Sequence, residues 1–599
     1  MRKQSNPRTA RSKSPLFAAV ATALCLISAQ ASADYFYEDT VNASTKLPYD
    51  SEPNYRLLAE NGSYTAKMTV ENGSPSEYYL AYFDNSSLSA SDINGGTFHF
   101  GPMTMEMSGD FRGEVTIGGL AIFRWESNSV DQIIVNIDSF YSYFDLTKND
   151  QKHINPTALQ VKDCVTPTTL NVNGKVSIYN IVTVPGDSSS VANNGVYAYN
   201  KNNVIYLNGD TYVNTNLVDG LIEAYSSDYG PGRSKNDALS AKDGGELYVN
   251  FWGGHTVQLL GNLDARKGTM KVNLDNSDSY WHGHGTNLSS ASDLTVKLSN
   301  GAQWVPDLPI EVMQNLEVNN GGIVNLHGFN LHTGKAGLTQ QLSVANLSGN
   351  GGVFIMDLTA SNKSGPLDVP TYTKDVLPYH TWEGEGIQSA ATEGQNDFLY
   401  AKSESGGSFY LLPVDSTKLK GVSRANPIWF ADVPTTVSFS PVVGATRLSD
   451  GFVYDYTPVL DTDVVAADTA KNLNGTNWYI VGLQQDPSDA TEVAVSDAAL
   501  NFAAATSFLE LDTLNKRLGE IRRYGDDAAG LWVRVKAGRM TSDTNGSFRS
   551  NYQFYQLGAD YAYRPDNGSG TYLFGAAVHT ADHDAKFTAG SGDVDTAGA

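Results

Sequence analysis

Leu294-Thr295-Val296-Lys297-Leu298 alternates apolar and polar side chains and runs, one residue later, into Asn300-Gly301. Alternation with a period of two describes a strand with one face to bury and one to wet, and Asn-Gly then turns the chain. A unit this short cannot bury its apolar face alone. The same unit recurs along the chain. Gly174 leads into Lys175-Val176-Ser177-Ile178, Asn203 into Val204-Ile205-Tyr206-Leu207, and Gly245 into Leu247-Tyr248-Val249. Gly268 leads into Met270 to Leu274, Gly322 into Ile323 to Leu326, and Gly352 into Val353 to Met356. With Gly301 as a further lead and the gap from Asn203 to Gly245 taken as two turns, the intervals are roughly 20 to 30 residues, the range of repeat architectures.

Stacking such units in parallel gives each apolar face a neighbour and builds one continuous core. The fold class is therefore all-β, with a right-handed parallel β-helix expected over 34–420 and clearest over 165–420. Neither a WD-type signature nor an even hairpin spacing points to a propeller or a sandwich. The segment 34–165 shares the repeat style less clearly and is where a separate activity could sit.

Residues 1–33 belong to no fold. Arg2, Lys3, Arg8, Arg11 and Lys13 precede an apolar run from Pro15 to Ala29, and Ala31-Ser32-Ala33 supplies a cleavage site before Asp34. That order of features is a signal peptide, and the apolar run is short of the roughly 20 residues of a spanning helix. The chain holds 41 Lys+Arg and 65 Asp+Glu, a net charge of −24. Removing the five basic residues of the leader leaves 36 against 65, or −29. A surface this acidic has no electrostatic reason to bind nucleic acid. Cys164 is the one cysteine after the leader, so no internal disulfide staples the exported chain.

The pattern changes near residue 490. Phe508, Leu511, Leu514, Leu518 and Ile521 fall at helical spacing after an alanine-rich start, which predicts a helix over 493–523. Three strand-length runs follow, Gly530 to Met540, Asn551 to Tyr563 and Thr571 to Thr580. In the first, Leu531, Val533, Val535 and Ala537 share one face, and Trp532, Arg534, Lys536 and Gly538 share the other. In the second, Tyr555, Leu557, Ala559 and Tyr561 oppose Gln556, Gly558 and Asp560. One apolar face and one polar face suit a barrel strand between lipid and a wet lumen; the edge of an ordinary antiparallel sheet is the plainer alternative.

Leu514-Asn515-Lys516-Arg517-Leu518-Gly519-Glu520-Ile521-Arg522 with Gly530-Leu531-Trp532-Val533-Arg534 resembles the helix and first strand of autotransporter β-domains. Tyr555-Gln556-Leu557-Gly558-Ala559-Asp560-Tyr561 resembles the second strand of that family. Upstream, Leu342 to Gly349 with Gly351-Gly352-Val353-Phe354, Trp304 after Asn300-Gly301-Ala302, and Asn477-Trp478-Tyr479-Ile480 resemble the end of pertactin-like passengers.

The resemblance covers the chain from about residue 290 onward. It implies export by the Sec machinery, barrel insertion by the outer-membrane assembly machinery, and a passenger that folds at the cell surface from a C-terminal, autochaperone-like region at 330–485. It also implies a barrel of about twelve strands, of which 530–599 has room for about a third, so the barrel is expected to be incomplete as written. Relatives that cut their passenger do so between paired asparagines, and Asn515 has no asparagine neighbour.

Few constellations suggest chemistry. Gly186-Asp187-Ser188-Ser189-Ser190 has serine where an oxyanion-forming glycine would follow a nucleophilic serine, and only His99 and His153 lie upstream as bases. His282 and His284, in Trp281-His282-Gly283-His284-Gly285, would share one strand face but lack a clustered third ligand. Cys164 reads as a small buried residue. No catalytic, cofactor-binding or metal-ligating residue is assigned, and the chain is expected not to be an enzyme. The expected role is a surface-displayed passenger that binds a host cell, a matrix or its own kind, its 32 tyrosines supplying amphipathic contacts. The alternative is a secreted hydrolase, a protease or glycan-active enzyme, on a β-helical stalk.

Overall fold

A computed structural model describes residues 35–42, 62–73, 77–83, 96–111, 115–123, 131–149, 153–182, 190–217, 234–286, 291–306, 310–327, 339–365, 394–402, 404–442, 454–462, 464, 476–488, 491–492, 496, 500, 529–542, 548–568, 570–587 and 590–598. These form two units. The first holds 1–414, 421–441 and 460–482, and the second 415–420, 442–459 and 483–599.

The first unit is a parallel β-solenoid whose rungs each place strands on three faces. On the first face Thr97–Phe100, Ile133–Ile137, Thr168–Val172, Asn203–Leu207, Glu246–Val249, Thr269–Leu274 and Asp293–Leu298 pair in parallel, each with the next. The register sets Phe98, Val135, Leu170, Ile205, Leu247, Met270 and Leu294 in one inward column. All seven are buried. Alternation therefore does in three dimensions what it promised in one: each strand buries every second side chain against the same position one rung away.

The second face carries a parallel inward column, Met105, Ser142, Ile178, Val213, Leu259, Trp281, Trp304, Val324, Phe354 and Leu411. The third stacks Ala81, Leu120, Leu159, Val196, Leu239 and Leu263. The described strands before residue 165 thus belong to the solenoid, since Tyr35–Asn42 already pairs in parallel with Tyr64–Gly73. Parallel pairing also runs past residue 420, as far as Val437–Pro441 on Gly406–Pro413.

Two indole rings meet in the column of the second face. Trp281 and Trp304 stack at 4.9 Å and 5°. Their Nε1 groups donate to the carbonyls of Gly261 at 2.9 Å and Gly283 at 3.0 Å, so each buried indole N–H is satisfied. Gly261 and Gly283 have φ of 138° and 146°, and a Cβ at Gly283 would lie 2.3 Å from the Gly261 carbonyl oxygen. The tryptophan-plus-glycine pairing is thus a steric requirement of one rung lying on the next.

The last part of the first unit departs from parallel stacking. Ile428–Val433 pairs antiparallel with Thr476–Pro487 through Ile480, Tyr479, Trp478, Asn477 and Thr476. Val312, Phe398, Tyr400, Trp429, Tyr479 and Val481 cluster there.

In the second unit four strands, Ala529–Ser542, Phe548–Tyr563, Tyr572–Phe587 and Gly590–Gly598, form an antiparallel sheet in chain order. The fourth strand was not anticipated, because Gly590 to Gly598 has the composition of a turn. Of the helix expected over 493–523, Ser496 and Leu500 are described, both helical; the remainder lies outside the described residues.

Candidate functional site

The serine motif at 186–190 yields little. Ser188 lies outside the described residues. Ser190 opens the strand Ser190–Tyr199, where its partner in register is His153. One register pair makes neither a triad nor an oxyanion hole. His99 is exposed on the first face, paired in register with Asn136.

The two histidines expected to share a face do not. His282 ends the strand Tyr280–His282, and Gly283 with its φ of 146° turns the chain before His284. His284 is buried, whereas His282 sits half-buried beside Tyr280, ring centroids 5.2 Å apart. The turn escaped the sequence reading because i and i+2 share a face only while the strand continues. No group of three or more His, Cys, Asp or Glu among the described residues is placed to hold a metal. Cys164 is 4% exposed, its thiol directed to the carbonyls of Lys162 and Ile122.

A charged cluster that composition could not reveal lies along the third face. Tyr197, Ser240 and Asp264 are neighbours in register. Lys242 Nζ lies 2.9 Å from Asp264 Oδ2, 3.8 Å from Asp237 Oδ2 and 5.3 Å from the Tyr197 ring centroid. Both aspartate side chains are fully buried. Burial, then the charges of Tyr199 and Asp264, holds the Tyr197 phenol well above its ordinary value. Buried carboxylates persist only when paired, so Lys242 acts as a tie for two acids on successive rungs. The two acids are sealed in while Lys242, 14% exposed, and half-buried Tyr197 reach the surface, so the ion pairs tie one rung to the next.

A second buried acid makes a prediction. Asp397 is held above the usual carboxylate range chiefly by burial; the bond from the Asp357 backbone N–H opposes this, and the Asp357 charge adds to it. The folded value exceeds the unfolded one, so Asp397 contributes stability in full below the ordinary carboxylate pKa. That contribution is lost as pH rises through the folded value. Asp397→Asn is therefore expected to raise stability at neutral pH and to flatten its decline with pH. Urea midpoints from pH 4 to 8 check this; a variant less stable than the parent at pH 7 would contradict it.

The four-stranded sheet has two unlike faces. Leu531, Val533 and Val535 are 85%, 72% and 62% exposed, and the register sets them beside Ala559, Leu557 and Tyr555. Tyr561, Tyr563, Tyr572, Phe574 and Val578 continue the same bare apolar surface. The third strand, too uniformly apolar to assign from sequence, takes its faces from this register. On the other side Phe554, Gln556, Ala562, Ala581 and His583 are buried, and Arg534 and Lys536 are half-buried. Trp532 lies over Gly558 and Tyr552 over Gly538, each ring filling the space a Cβ would need. The bare side is therefore an apolar belt that gives way to Asn551, Gln553, Asp582 and Asp584 toward one end, and the covered side mixes Arg534, Lys536 and Gln556 with Phe554 and Ala581.

An all-β chain with so long a parallel stack fits an autotransporter passenger. No family model matches the chain. A curated relative, the serine protease EatA of Escherichia coli O78:H11 (strain H10407 / ETEC), is 32% identical over 124 residues, 20% of this chain and 9% of the relative. The match thus spans under a tenth of that relative's length. It nonetheless corrects one expectation: a chain predicted not to be an enzyme is similar, in part, to a protein named as a protease.

Proposed function

We propose that this chain is an outer-membrane autotransporter that exports its own solenoid passenger and displays it at the cell surface, where the passenger acts by binding a host cell, a matrix or other copies. The observation that carries this reading is the bare apolar belt of the four-stranded sheet. Leu531, Val533, Val535, Leu557 and Phe574 form a surface that water disfavours and lipid accepts, and the opposite side carries Arg534, Lys536 and Asp560. A membrane barrel needs that division. No helix among the described residues is long and apolar enough to cross a membrane, which leaves crossing by strands open. On this reading Sec delivers the leader-bearing chain to the periplasm and the barrel assembly machinery inserts the C-terminal strands. Folding outside then makes return unfavourable, because each rung added buries another tier of the inward columns.

A second reading, a secreted hydrolase on the same stalk, is favoured by the similarity to EatA. Two measurements separate the outcomes. Protease added to intact cells expressing the full gene should remove the solenoid; a solenoid protected until the outer membrane is opened would refute display. A fluorophosphonate probe that labels a serine of the purified chain would move the function from binding to hydrolysis.

A further inference from the structure

The corner between the first and second faces is tight in most rungs. Three residues, 173–175, join Thr168–Val172 to Val176–Val182, and three, 208–210, join Asn203–Leu207 to Thr211–Leu217. The corner widens in the later rungs and is widest in one of them. Seven residues, 250–256, join Glu246–Val249 to Val257–Leu260, and they present Phe251 and Trp252 to solvent, 42% and 81% exposed.

The turn is built to hold this shape. Asn250, 1% exposed, donates from Nδ2 to the carbonyls of His255 and Asn273, both at 3.0 Å, and to Asp275 Oδ1 at 3.1 Å. Its Oδ1 accepts from the His255 N–H at 3.2 Å. Asp275, from the next rung, accepts the Gly254 N–H at 2.7 Å, and Asp210, from the rung before, accepts the Thr256 N–H at 3.0 Å. Gly253 and Gly254 supply the positive φ values of 80° and 93° that close the loop. The rings are braced as well. Tyr206 stacks on Tyr248 at 4.8 Å, Tyr248 meets Phe251 edge-on at 5.3 Å, and Phe251 meets Trp252 edge-on at 4.9 Å.

An aromatic pair held this firmly in one geometry is pre-organised to receive a partner group, since less freedom is lost on binding. Its surroundings indicate which group. The carboxylates that flank the turn, Asp210 and Asp275, come from both neighbouring rungs, and Asp278 is exposed on the same corner. His255 is the one basic side chain the turn itself carries. Asp210 also lies 3.6 Å from the His255 imidazole, which leaves Asp275 and Asp278 as the acids of the corner. An exposed aromatic ring on an acidic corner attracts a cation through the ring quadrupole and through charge, and tryptophan is the best ring for it. The whole chain, at −24, reinforces that field.

We propose that the Phe251–Trp252 turn is a recognition site for arginine or lysine side chains presented by a basic segment of a protein partner. The proposal rests on the display reading for its biology, and its test does not, since it uses purified protein. Anisotropy of a labelled hexa-arginine peptide is measured against the full chain, with an uncharged hexapeptide and a neutral hexasaccharide as competitors. Trp252→Leu should weaken peptide binding about two- to fivefold, the range for one exposed cation–ring contact. Added salt should weaken binding to the parent further, and neither neutral competitor should displace the peptide. Equal affinity of the parent and Trp252→Leu would overturn the proposal, reducing the binding to diffuse attraction by an acidic protein. Displacement by the hexasaccharide that depends on Trp252 would overturn it in favour of a glycan site.

Discussion

Replacing Trp304 with alanine is expected to destabilise the solenoid by about 3–5 kcal/mol, the range for emptying a buried tryptophan site. The indole is fully buried, stacked on Trp281 at 5°, with Val324 next in its column. Neighbouring rungs cannot collapse into the space, because their backbones are fixed by parallel pairing on either side. The substitution also orphans the Gly283 carbonyl, which accepts the indole N–H at 3.0 Å, at a further cost of about 1 kcal/mol. Trp304→Phe keeps a ring against Trp281 but loses the N–H, and should recover more than half of the loss. Urea denaturation followed by tryptophan emission measures both. A loss under about 1 kcal/mol for the alanine variant would show that the column is not tightly packed. Each rung rests chiefly on its neighbours, so protease sensitivity should rise first around 281–325 rather than along the whole stack.

The strand pattern was legible in sequence because burial in a solenoid is decided locally. Leu294, Val296 and Leu298 alternate inward, and each meets the residue at the same place in the preceding repeat, Met270, Val272 and Leu274. The extent of the stack was less legible. Segments such as Phe140–Asn149 and His153–Lys162 are longer strands in longer rungs, so the glycine punctuation that marks 245, 268 and 322 is diluted there. The fourth strand of the C-terminal sheet, Gly590–Gly598, was hidden because its pairing with His579 to Phe587 comes from the backbone, and its side chains carry no apolar alternation. The Lys242–Asp264–Asp237 tie was invisible for another reason: 27 residues separate Asp237 from Asp264, and only the rung geometry brings them to one ammonium. The Phe251-Trp252 turn sat in plain view between two recognised strand runs. Nothing in its composition marks it as exposed, because only the corner geometry turns the pair outward.

On the membrane reading, Leu557→Arg should be the most damaging single change in the C-terminal sheet. Leu557 lies near the middle of Phe548–Tyr563, between Val533 and Val578 in register, on the bare apolar side. An arginine there would face hydrocarbon at a cost of about 2–4 kcal/mol near the bilayer midplane, falling toward the interfaces. Lys536→Gln on the opposite side changes charge where a wet lumen tolerates it, and should leave insertion intact. The two variants differ in face, not in the sheet they occupy, so the comparison isolates the environment of each face. The soluble alternative predicts the reverse ranking. At a position already 53% exposed to water, Leu557→Arg would stay within about 0.5 kcal/mol of the parent and would improve solubility. Membrane fractionation and heat-modifiable migration of the two variants, expressed from the full gene, decide between them. Loss of the membrane-inserted form for Leu557→Arg alone supports a lipid-facing sheet. Normal insertion of that variant would mean that Leu531, Val533, Val535 and Leu557 face something other than lipid.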